Sequence, residues 1–288
     1  MNIHQETATI RSNGAALAGV LFLPASDRPS PALVICHGAL EFKEHYFELC
    51  EFLAARGVAA LAIDMHGHGQ SEGERYHVDM CEWVGDVRAA VDFLVNRPQV
   101  DGNRIGAFGL SSGGTAILEA ALVEPRLKAL ISLDGTVRNT FGFAETLVFQ
   151  LLILAGSVKK LLTRQDLRFS LMRMAGGIHV ASDPEVNQKL VTDPRIVEAY
   201  SSFPLPGAAQ CFFVDTLKHV GSITAPTLVL HGADDQLDPP KSAQLLYDAL
   251  TCERQLYIIP GNGHVGHMDR HKDRVMELTA DWALKHLT

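Results

Sequence analysis

Seven short runs of aliphatic and β-branched residues limit what this chain can fold into: residues 19–23, 32–36, 58–63, 104–108, 127–133, 227–231 and 255–259. Their apolarity is continuous rather than alternating, which marks strands buried on both faces, as in a parallel sheet. Between them lie stretches with helical spacing, residues 46–56, 79–96 and 114–123, each set off from the next strand by Gly or Pro. The rhythm resumes late in the chain with a helix near 241–250 and a closing helix over 273–287. Strand and helix in alternation predict a doubly wound, mostly parallel α/β sheet. The residues before Gly19 are expected to add one or two antiparallel edge strands.

Residues 135–223 break the rhythm with an apolar helical stretch, the Gly176-Gly177 pair, Asp183-Pro184, Asp193-Pro194 and the corner Pro204-Leu205-Pro206. They are expected to form a mostly helical cap inserted into a core made of residues 1–134 and 224–288. A length of 288 residues fits one α/β core carrying such an insertion. The apolar run at 147–158 is 12 residues long, short of the roughly 20 needed to cross a bilayer, so no integral membrane segment is expected. The wider stretch Phe141 to Val158, with Phe141, Phe143 and Phe149 in it, carries more apolar surface than a solvent-facing lid helix needs, and its plain reading is core packing. The sharper one is an acyl-binding wall, or a lid surface that touches lipid or a partner subunit.

Charge excludes one class of partner. There are 33 acidic against 25 basic residues and no lysine or arginine cluster, so a phosphate-rich partner has little to hold and nucleic-acid binding is not expected. Five cysteines without CxxC spacing suit free thiols in a reducing compartment. The opening Met-Asn-Ile-His-Gln-Glu lacks a basic segment followed by an apolar one, so the expected location is the cytoplasm.

The chemistry concentrates after the strands. Gly109-Leu110-Ser111-Ser112-Gly113 follows residues 104–108 and opens a helix, the strand-turn-helix setting of a G-x-S-x-G nucleophile elbow. The glycines select Ser111 over Ser112 as the nucleophile, leaving the Ser112 backbone N–H to face an oxyanion. A serine hydroxyl needs a histidine to remove its proton, and that histidine needs a carboxylate to fix its tautomer. His231-Gly232-Ala233-Asp234-Asp235 and Gly261-Asn262-Gly263-His264 follow the next two strands in that order. His264 is taken as the base and Asp235 as its partner. Asp134 is the rival acid, Asp234 and Asp238 are expected to shape the turn, and His267 is a supporting or surface residue. His37-Gly38-Ala39 offers a second oxyanion donor at the Ala39 N–H, with His37 fixing the loop. Residues 64–71 read as a rigid loop. The His66-x-His68 pair lacks companion ligands, so neither a metal nor an organic cofactor is expected.

Through His37-Gly38, residues 64–71, Gly109 to Gly113, His231 to Asp235 and His264, the sequence resembles the α/β-hydrolase superfamily over nearly its whole length. Within it the chain is similar to the serine hydrolases grouped with monoacylglycerol lipases, lysophospholipases and small serine peptidases. It departs from the lipase pattern at Leu110 and Ser112, where His and Met are common, and at His66, where Arg is frequent. The resemblance implies an acyl-serine mechanism on a small-molecule acyl ester. Amide, thioester, lactone or carbon–carbon substrates, acyl transfer, and a non-catalytic ligand-binding role stand as alternatives.

Overall fold

A computed structural model describes residues 3–175 and 179–288. The Gly176-Gly177 pair lies outside the described residues. The chain opens with a hairpin in which β1 (His4–Ser12) and β2 (Ala15–Leu23) run antiparallel. Asn13 and Gly14 make the turn, both at positive φ. β2 is also antiparallel to β4 (Ala59–Ile63), so residues 19–23 do not belong among the parallel strands. The two-residue turn at Asn13-Gly14 can join β1 and β2 only as antiparallel neighbours, and β2 then borders β4 in the opposite direction as the junction between this hairpin and the parallel strands.

β3 (Ser30–Cys36), β5 (Val100–Leu110), β6 (Leu127–Leu133), β9 (Thr227–Gly232) and β10 (Arg254–Ile259) complete the sheet. The order is β1-β2-β4-β3-β5-β6-β9-β10, parallel from β4 to β10. β3 and β4 are buried at every residue, as unbroken apolarity predicts for strands covered on both faces. The covering helices are α1 (Phe47–Ala55), α2 (Met80–Val95), α3 (Ser112–Ala121), α8 (Lys241–Ala249) and α9 (Lys272–Leu287). Asp79 starts α2 by accepting hydrogen bonds from the Cys81 and Glu82 amides.

Between β6 and β9 the chain forms α4 (Phe143–Thr163), β7 (Leu167–Phe169), α5 (Leu171–Ala175), α6 (Pro184–Thr192), α7 (Pro194–Ser201) and β8 (Phe203–Leu205). β7 and β8 pair as a small antiparallel ribbon that the helical pattern did not foretell. The two Asp-Pro pairs are helix starts. Asp183 and Asp193 accept from the amides of Glu185 and Arg195, each at 2.8 Å, and the following proline occupies the first turn.

α4 runs for 21 residues, well beyond the apolar stretch at 147–158, and is long and apolar enough to cross a membrane by length and composition. Only one edge packs: Phe149, Leu152 and Ile153 lie against the core. Gly156 lets it press on β8, where a Cβ would lie 2.4 Å from the Leu205 carbonyl oxygen. On its outer side Leu147, Leu151, Leu154, Leu161 and Leu162 are at least half exposed. Hydropathy alone could not separate a buried helix from one buried along a single edge.

Candidate active site

Ser111 sits between β5 and α3 at φ 51 and ψ −119, a conformation that L-residues rarely adopt. The flanking glycines make that turn possible. A Cβ on Gly109 would meet the Gly113 carbonyl oxygen at 2.2 Å, and one on Gly113 would meet the His37 carbonyl oxygen at 2.4 Å. The Ser111 hydroxyl oxygen lies 3.5 Å from Thr136 Oγ1. Among the described residues no hydrogen bond joins it to His264, although both line one cavity. Such contacts are commonly long before substrate binds.

His264 follows β10 in a buried loop, its amide tied to the Val180 carbonyl at 2.7 Å. Its Nδ1–H donates to Asp235 Oδ2 at 2.8 Å, which leaves Nε2 free to act as a base. Asp235 Oδ1 accepts from the amides of Leu237 and Asp238, so the carboxylate is held in place. Burial opposes ionisation of both groups, yet each outweighs it for the other. The Asp235 carboxylate lifts His264 to about 9, and His264 with His231 keeps the Asp235 carboxyl below the usual range.

A second acid–imidazole pair backs the first. His231 Nε2 donates to the Asp238 carbonyl at 2.7 Å and lies 3.3 Å from Asp235 Oδ2, while its Nδ1 is 3.5 Å from Asp134 Oδ1. Asp134 follows β6 at φ 46, accepts from the Gly232 amide at 2.7 Å, and among the described residues has no partner at Oδ2. Burial pushes its carboxyl up to about 7. The rival acid therefore meets His231, and Asp235 is the carboxylate that meets His264. Asp238 departs from the expected turn role: its carboxylate is buried, meets no hydrogen-bond partner among the described residues and is shifted upward by burial. Asp234 instead accepts from the Ser182 hydroxyl at 3.4 Å.

Ser112 opens α3, where the first amides have no acceptor within the helix. Among the described residues the Ala39 amide donates no hydrogen bond, and both residues line the cavity. Among the described residues the buried Ser112 hydroxyl has no partner. His37 is structural: Nδ1–H donates to the Gly38 carbonyl and Nε2 accepts from the Met65 amide. Glu41, which the sequence did not single out, is buried and accepts from the Gly38 amide at 3.0 Å and the Tyr46 hydroxyl at 2.6 Å. That bracing fixes the loop carrying Ala39. His267 is buried rather than superficial and stacks on Tyr46 with ring centroids 4.2 Å apart.

The rigid loop at residues 64–71 is held by Asp64, which accepts from the Lys43 and Gln70 amides and pairs with Lys43 Nζ at 2.6 Å. His66 Nδ1 is 2.6 Å from Asp86, and His68 Nδ1–H donates to the His66 carbonyl. Glu74, His77 and Asp166 also cluster, but Lys160 Nζ stands 2.6 Å from Glu74 and 3.3 Å from Asp166, already supplying the cation.

The cavity holds about 600 Å³. Core loops contribute Ala39, Ser111, Ser112 and His264 to its wall. Across from them Phe141, Phe149 and Phe212 pack ring on ring, with centroids 4.9 to 5.4 Å apart. A polar, hydrogen-bonded rim facing an aromatic wall suits a substrate with one reactive polar group and an apolar body.

The family described as serine aminopeptidase, S33, matches residues 27–271. A monoacylglycerol lipase of Mycolicibacterium smegmatis is 27% identical over 289 aligned positions, covering 95% of each chain. A monoglyceride lipase of Homo sapiens is 30% identical over 254 positions, covering 84% of this chain and 77% of its own. Among solved structures, the α/β hydrolase GrgF from Penicillium sp. sh18 superimposes with a TM-score of 0.83 at 19% identity, covering 100% of this chain and 99% of its own. That last likeness concerns the fold.

Proposed function

This chain belongs to the serine aminopeptidase, S33, family of α/β-hydrolases, and from that membership we propose a carboxylic ester hydrolase working through an acyl-serine intermediate. Ser111 Oγ attacks the ester carbonyl while His264 Nε2 takes its proton, and Asp235 stabilises the imidazolium that forms. The amides of Ala39 and Ser112 bind the developing oxyanion. Collapse expels the alcohol, which takes the proton from His264. A water molecule, deprotonated in turn by His264, attacks the acyl carbon and returns the proton and Ser111 to their starting state. The observation that carries this reading is a serine held at φ 51 in the same cavity as an imidazole bonded to a carboxylate at 2.8 Å.

Residues 135–223 act in this proposal as a cap that supplies the acyl-binding wall. The aromatic cluster and the names of the two lipase relatives support medium or long acyl chains. A series of nitrophenyl esters from acetate to laurate tests this. Preference should rise beyond acetate and vanish in Ser111→Ala, whereas a preference confined to acetate contradicts the acyl wall.

A further inference from the structure

Arg138 is the one lysine or arginine among the described residues lining the cavity. It lies two residues beyond Thr136, whose hydroxyl approaches Ser111, and its backbone is fixed by an antiparallel bridge to Asp215. Several arginines elsewhere in the molecule have anionic partners. Arg126 pairs with Glu124 and Asp92, and Arg195 with Glu44 and Asp193. Arg138 differs. Its Nε is buried without a partner, and among the described residues no hydrogen bond or ion pair reaches its guanidinium. Arg138 is half-buried; a buried guanidinium nitrogen without an acceptor is costly, and the five-donor fork of an arginine lining a cavity matches a carboxylate.

We propose that Arg138 recognises a carboxylate carried by the substrate, so that the substrate class is a singly anionic ester: a half-ester of a dicarboxylic acid, or an ester whose alcohol part bears an acid. This rests on the hydrolase reading above and narrows it. Three carboxylates share the cavity wall and shape the preference. Glu41 is engaged by the Gly38 amide and the Tyr46 hydroxyl, Glu145 accepts from the Gly142 amide at 2.9 Å, and Asp238 is buried. Among the described residues none of the three forms an ion pair with Arg138. A carboxylate disfavours another anion placed beside it, so the guanidinium is the point on this wall where an anion is favoured.

The test compares matched pairs on purified enzyme. The acyl arm uses nitrophenyl hemiglutarate against the neutral nitrophenyl methyl glutarate. The alcohol arm uses 4-acetoxybenzoate against its methyl ester. In at least one arm Arg138→Gln should lower kcat/KM for the anionic member by on the order of 10- to 100-fold, the usual loss for a charge-assisted hydrogen bond. The neutral member should change less than about threefold, and Arg138→Lys should restore part of the loss. An unchanged melting temperature for Arg138→Gln separates recognition from folding. Equal changes for anionic and neutral members in both arms overturn the proposal. Absence of hydrolysis of every ester by the wild type instead overturns the hydrolase reading, so the two failures are distinct.

Discussion

On the core side of the cavity Ser111, Asp235 and His264 sit on loops whose neighbours are buried and hydrogen-bonded, whereas on the cap side α4 leaves Leu147, Leu151 and Leu154 exposed. The core wall is fixed by backbone sterics: a side chain at Gly109 or Gly113 has nowhere to go. The cap wall is held by side-chain packing and by the approach at Gly156. The first arrangement suits chemistry, which tolerates little displacement of reacting groups. The second suits selectivity, because aromatic and leucine surfaces can be exchanged without disturbing the nucleophile.

The largest effect should come from the core wall. Asp235→Asn removes the charge that holds His264 in one tautomer, and kcat/KM should fall about 10⁴-fold. It should also move the pH profile. The proposed mechanism needs neutral His264, whose pKa the Asp235 carboxylate lifts to about 9 from the ordinary 6.5, so the wild-type acid limb is expected on the alkaline side of an ordinary histidine. Without the Asp235 charge that limb shifts to lower pH, and a limb left in place would show that the pair is not coupled.

Next in size is stability. Leu130 is fully buried in β6, and Leu130→Ala should cost about 2–5 kcal/mol in urea unfolding. Asp134→Asn should act through pH. The native carboxyl binds its proton up to about 7, the unfolded one only to the ordinary 3.8, so wild-type stability falls as pH rises between those values and then levels. Asparagine cannot ionise, and its advantage over wild type should grow across that window by on the order of a few kcal/mol. A difference that stays flat with pH would mean Asp134 is ionised in the fold. The smallest effect belongs to the cap: Leu154→Gln, on the exposed face of α4, should stay within about 0.5 kcal/mol of wild type. A loss comparable to that of Leu130→Ala would erase the contrast between the buried sheet and the exposed face of α4.

The elements of the core were legible because each leaves a chemical trace. Buried parallel strands read as unbroken apolar runs, and the elbow needs glycines at both flanks. The positions of Ser111, Asp235 and His264 on loops after β5, β9 and β10 were legible for the same reason. Other features left none. The β2 strand is as apolar as its parallel neighbours, and only the turn at Asn13-Gly14 reveals its direction. Exposure of α4 depends on what packs beside it, which its own residues do not encode. Arg138 and Glu41 belong to no motif, and their position at the cavity follows from loop paths set by distant parts of the chain.

The most direct test of the core assignment is covalent labelling with a fluorophosphonate, followed by mass spectrometry of the proteolytic peptides. One adduct on Ser111, lost together with ester turnover in Ser111→Ala, is the expected result. An adduct on a different residue, or labelling and turnover that survive the substitution, would contradict it.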